Sequence, residues 1–304
     1  MSASTGARGH GKVILVGEHA AVYGHPALAG ALACGVRLRA QPGDTLTLDV
    51  AGWDVHVRAG DDHPVAHALV AVAGALGVAR ATIEGDADVP PAAGLGSSAA
   101  LAVALARALA AHAGKAIDVA AIEEIAAGAE RCFHGNPSGI DVAVAARGGL
   151  GLYRRGHGLT PVAAAPLPLV IGLSGQPRST AAMVERVAQA RAARTAAVDA
   201  ELAALGAAAE RAAVLLGAVQ VDTAELGELF TDAHARLASL GVSAPVLDAM
   251  VAAAGGAGAT GAKLTGGGGG GAVIALAPGR EDAVLAAWRA MGKDGFVTDV
   301  GARP

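Results

Sequence analysis

Residues 90–109 read P-P-A-A-G-L-G-S-S-A-A-L-A-V-A-L-A-R-A-L, a glycine turn that runs directly into a long apolar helix. A helix start leaves backbone N–H groups unpaired, and the helix dipole makes that end electropositive. Glycines let an anion approach the backbone closely. Ser97 and Ser98 add hydroxyls that can cap the helix or ligate a metal. Two readings stand at this point: a phosphate cradle, or an ordinary loop with a serine N-cap.

The whole chain sets bounds on both. Its 304 residues suggest one large domain or two smaller ones. Aromatics make up only 2%, so the core must be built from Ala, Val, Leu and Ile. A formal net charge of −4 argues against a nucleic-acid or polybasic membrane footprint. Cys34 and Cys132 have no C-x-x-C partners, which fits a reducing, cytosolic compartment. No signal-peptide pattern or membrane span is expected. Lys12, Lys115, Lys263 and Lys293 are the only lysines, and two of them, Lys12 and Lys263, adjoin Gly-rich motifs.

Hydrophobic periodicity predicts strands at 13–16, 45–50, 55–58, 81–84, 148–153, 167–173, 272–276 and 295–300. It predicts helices at 64–76, 97–113, 118–131, 180–205, 207–219, 223–240, 244–254 and 280–291. The polar segment 1–8 predicts no firm strand. A loose Gly/Ala/Pro stretch at 156–166 marks the expected domain boundary.

Three further segments carry chemistry. Residues 11–24, G-K-V-I-L-V-G-E-H-A-A-V-Y-G, set Lys12 at a strand start with Glu18 and His19 in the turn beyond. Lys12 is either a point charge for an anionic oxygen or a surface lysine. Residues 130–141, E-R-C-F-H-G-N-P-S-G-I-D, deliver Asp141 through a strong turn signal into apolar surroundings. A carboxylate placed there needs a partner, and it reads as a general base or as a helix cap. Residues 263–276, K-L-T-G-G-G-G-G-G-A-V-I-A-L, put six glycines against a strand, a sign of close approach by a ligand or another backbone.

Taken in order, these motifs resemble the GHMP superfamily of small-molecule kinases, and within it the mevalonate kinase family. P-R-S-T at 177–180 is similar to that family's P-R-x-T segment. The resemblance covers nearly the whole chain. It implies an α/β (α+β) two-domain GHMP kinase fold: residues 1–160 like domain 2 of ribosomal protein S5, and residues 161–304 ferredoxin-like. It implies ATP-dependent phosphorylation of the primary hydroxyl of mevalonate, in the mevalonate pathway to isoprenoids. Phosphomevalonate kinase, homoserine kinase and the related diphosphomevalonate decarboxylase are the alternatives in the superfamily.

The resemblance also implies residue roles. Ala92, Ala93, Gly94, Leu95, Gly96, Ser97 and Ser98 would wrap the ATP phosphates, with Ser97 as cap and phosphate contact. Gly266, Gly267, Gly268 and Gly269 would close over those phosphates. Ser98 and Glu130 would hold Mg2+. Asp141 would be the catalytic base, Lys12 its cationic partner, and Glu18 and His19 the substrate-orienting pair. A homodimer is common in the family. Two departures stand out: His10 replaces the family's proline before Gly11, and Val142 follows the catalytic aspartate where Asn is common.

Overall fold

The computed structural model describes residues 6–134, 138–177 and 179–302. The expected turn at 135–137 and Arg178 of the P-R-S-T segment lie outside the described residues.

The chain opens with β1 (Ala7–Val16), a short 3-10 turn and the fifteen-residue β2 (Ala27–Gln41). Next come β3 (Leu46–Val50), β4 (Val55–Arg58), α1 (Pro64–Leu76), β5 (Ala81–Ala87), α2 (Ser97–His112), α3 (Val119–Glu130) and α4 (Ile140–Arg147). The hairpin β6 (Leu150–Arg154) and β7 (Gly158–Val162) leads to β8 (Leu167–Leu173). Four helices follow: α5 (Thr180–Ala193), α6 (Thr195–Leu216), α7 (Thr223–Ser239) and α8 (Pro245–Gly256). The chain closes with β9 (Gly261–Thr265), β10 (Ala272–Leu276), α9 (Glu281–Ala290) and β11 (Asp294–Val300).

Strand β2 is the hub. One edge pairs with β1 along its length, and the other is shared among β6, β11 and β5. The sheet then runs β4-β3-β5-β2-β11-β8-β10-β9, so one hydrogen-bonded surface spans both halves of the chain. The first half of β2, A-L-A-G-A-L, is buried on both faces. It therefore shows neither alternation nor β-branched enrichment, and periodicity passes over it.

Helix α2 is apolar on every face over most of its length because residues 99–110, apart from Arg107, are buried. It lies against β1 so closely that a Cβ on Gly9 would sit 2.0 Å from the Ala100 carbonyl oxygen. The second half packs α7, α8 and α9 on its sheet around the fully buried Phe230 and Trp288, whose indole N–H donates to the Met250 carbonyl.

Several expectations are corrected. β1 begins at Ala7 because its early residues pair with β2, as at Ala7 with Leu38. Residues 156–166 carry β7, which closes a hairpin on β6 instead of forming a loose link. The break expected at Gly206 falls at Arg194, while Gly206 is inside α6 and packs against His25 and Pro26. Its missing side chain serves close packing, not helix termination.

Candidate active site

The site begins where β1 kinks. The pairing of β1 with β2 shifts register between His10 and Lys12. Such an irregularity re-aims a side chain. The Lys12 backbone N–H turns from the ladder and donates to the Leu95 carbonyl at 2.7 Å. The strand is thereby tied to the 94–98 turn.

Gly96 is the residue before α2, in the left-handed region at φ 73, and no side chain caps the helix. A Cβ there would meet Lys12 Cγ at 2.7 Å. Only glycine fits both the backbone and the space. Ser97 is thus the first helical residue, not the cap expected for it. The helix start keeps its unpaired N–H groups and positive dipole end for a ligand.

Lys12 is almost fully buried, and its ammonium sits 3.2 Å from Asp141 Oδ1 and 3.2 Å from the Gly94 carbonyl oxygen. Asp141, in the first turn of α4, is 29% exposed. The pair therefore has a dry side, the lysine, and an open side, the carboxylate. Gly139 precedes that helix, so Asp141 is not its cap.

Glu130 ends α3 with 1% of its surface exposed. Burial lifts its carboxyl to about 7, and the Asp141 charge adds to the rise. A hydrogen bond from the Ser98 hydroxyl and the charge of Lys12 act in the opposite sense. Ser98, Glu130, Lys12 and Asp141, spread over 130 positions of sequence, thus form one electrostatic cluster.

Glu130 Oε1 is buried without a hydrogen-bond partner. An orphaned carboxylate oxygen beside a hydroxyl is the donor set of a hard cation. Among the described residues no cluster of three or more His, Cys, Asp or Glu could hold a metal by itself. A cation here would therefore share its shell with water and phosphate oxygens. The residues fit Mg2+ in that form.

Glu18 and His19 follow β1. Glu18 ion-pairs with Lys263 of β9, and both are buried. His19 adopts φ 61, a conformation a non-glycine residue holds only under constraint. Its Nε2 lies 2.9 Å from the Gly267 carbonyl oxygen. Gly267 belongs to the turn joining β9 to β10, where Gly268, at φ 79, leaves no room for a Cβ beside the Val242 carbonyl oxygen. The six-glycine run is packed first against its own protein.

Sequence reasoning missed Thr265. Its hydroxyl donates to the Ile14 carbonyl at 3.0 Å and accepts from the Ile14 N–H at 3.1 Å. The Glu18–Lys263 pair was also missed, although the scarcity of lysine singled out Lys263.

Residues 63–149 match the GHMP kinases N terminal domain, and residues 214–294 match the GHMP kinases C terminal domain. A mevalonate kinase of Pyrococcus horikoshii is 35% identical over 95% of this chain and 93% of its own length. The chain belongs to the mevalonate kinase family of GHMP kinases. A second relative, the mevalonate kinase of Aeropyrum pernix, is 35% identical over 88% of this chain and 86% of its own. Among solved structures, L. major mevalonate kinase in complex with R-mevalonate aligns with a TM-score of 0.87 and 29% identity, covering 97% of this chain and 95% of that one. A Streptococcus pneumoniae phosphomevalonate kinase shares the fold alone, with a TM-score of 0.79 at 18% identity over 96% of this chain and 98% of its own. The two-domain α/β GHMP fold is thus established for this kinase.

Proposed function

We propose that this kinase transfers the γ-phosphoryl group of ATP to the primary hydroxyl of mevalonate, giving 5-phosphomevalonate and ADP for isoprenoid biosynthesis. The observation that carries the reading is the Lys12–Asp141 pair, set beside the uncapped start of α2. The names of the relatives support the choice of acceptor.

In this reading the 92–98 turn, with the N–H groups opening α2, cradles the phosphates, and the glycines at 266–269 flank them. Glu18 and His19 orient the acceptor. An alcohol is a weak nucleophile at neutral pH, so the partly exposed Asp141 carboxylate takes its proton as the new P–O bond forms. Lys12 stabilises the oxygen where negative charge develops. Ser98 and Glu130 hold Mg2+, which when bound neutralises charge on the phosphate oxygens. Residues 1–160 supply the reacting groups, and residues 161–304 supply the glycine turn.

A coupled ADP-release assay with Mg·ATP tests the acceptor. Mevalonate is expected to exceed phosphomevalonate, homoserine and galactose in kcat/KM by about tenfold or more. A preference for any of the other three would overturn the reading.

A further inference from the structure

Phosphoryl transfer leaves Lys263 without a task. It lies on β9 with no exposed surface, and its ammonium contacts Glu18 and, at 2.6 Å, the Leu264 carbonyl oxygen. Burial pulls the ammonium below its ordinary range, and the charge of Glu18 opposes that. A cation in such a place needs its counter-charge.

Alternate residues of a strand face the same way. Lys263 and Thr265 of β9 both reach the end of β1 and its turn: Lys263 meets Glu18 and Thr265 grips the Ile14 backbone, while in the turn beyond β9 the Gly267 carbonyl meets His19. The turn is thus held from behind by a strand of the other half. Glu18 uses only one oxygen for this. Its Oε1 takes Lys263, while Oε2 is buried and has no hydrogen-bond partner.

We infer that Lys263 is a positioning residue, whose charge balances the Glu18 carboxylate and leaves Oε2 as the acceptor for a hydroxyl of the substrate. This inference rests on the reading of Glu18 as an acceptor-orienting group. Among the described residues, His19 in the turn and His234 of α7 are titratable groups beside the pair, and His234 is itself paired with Asp248 of α8. The His234 ring accepts the Leu264 N–H at 3.4 Å and lies 3.1 Å from Asp248.

The test is the pH dependence of acceptor KM in Lys263→Met, relative to wild type at each pH. Methionine keeps bulk but removes the counter-charge, and burial then favours the protonated Glu18 carboxyl. The KM ratio is expected to reach about tenfold or more at pH 6.5 and to shrink by pH 9, with kcat and KM for ATP changed far less. A ratio that is flat across pH, even with a lowered Tm, would mean a merely structural lysine and would overturn the inference. Should Lys263→Met not fold, the double variant Glu18→Gln/Lys263→Met removes both charges together. Compared with Glu18→Gln alone, an unchanged acceptor KM supports the inference, because Lys263 then acts only through the Glu18 charge, and a further rise overturns it. If wild type prefers an acceptor other than mevalonate, the substrate reading fails. The same KM series, run with that acceptor, still decides the role of Lys263.

Discussion

Asp141 and Lys12 share one ion pair but not one environment. The lysine is 2% exposed and the aspartate 29%, so the proposed proton acceptor is partly open to solvent while the cation is buried. Asp141→Asn keeps the shape and removes the proposed base. It should lower kcat by about 10²–10⁴ with little change in KM for ATP, read from steady-state kinetics; near-normal turnover would sink the assignment. Glu130 supplies the pH dependence. Its folded carboxyl titrates at about 7, against an ordinary 4.5. Stability from this group is complete below about pH 4.5 and is lost as pH rises through 7, because the unfolded chain releases the proton first. The full loss is on the order of 3 kcal/mol. The metal-free protein should therefore melt progressively lower from pH 5 to 8, while Mg2+ binding, followed by calorimetry, tightens over the same range. Glu130→Gln should flatten the melting trend, and a persistent slope would assign it elsewhere. Lys12, Ser98, Glu130 and Asp141 were legible in sequence as candidates, because each sits in a motif that resembles the family's; that they meet was not. Thr265 was not legible, because its partner lies 251 positions away and only the fold brings the two together.

At the scale of elements, short-range chemistry and long-range packing set different boundaries. Asp118 caps α3 through the Ala121 N–H, as its position before a helical pattern predicts. Asp118→Ala should cost about 1 kcal/mol in denaturant unfolding, with kcat unchanged. Gly96→Ala should do more. It forces an L-residue to φ 73 and drives a methyl group into Lys12. A loss of about 1–3 kcal/mol is expected, together with weaker ATP binding by titration. An unchanged ATP affinity would separate that turn from the phosphate site. The helix break at Arg194 and the long β2 escaped periodicity for two reasons. In an Ala- and Gly-rich chain, small residues mark close packing as often as they mark ends, and a strand buried on both faces shows no alternation.

At the scale of the molecule, β11 lies between β2 and β8 and joins the two halves in one sheet, and Thr265 and Lys263 fasten β9 to β1 and the turn after it. Calorimetry should therefore show a single unfolding transition, raised together by Mg·ATP; two separable transitions would contradict a shared sheet. The sequence by itself determined the chemistry on offer: a helix start after a glycine turn, a lysine and two carboxylates in recognisable motifs, and most of the helices and strands between them. Only the tertiary structure decided which groups meet. It set Lys12 against Asp141, gave Glu130 its burial and its orphan oxygen, and used Lys263 and the glycine turn to hold Glu18 and His19. The physical reason is that charge state, burial and strain depend on neighbours distant in sequence, whereas motif and periodicity report only neighbours along the chain.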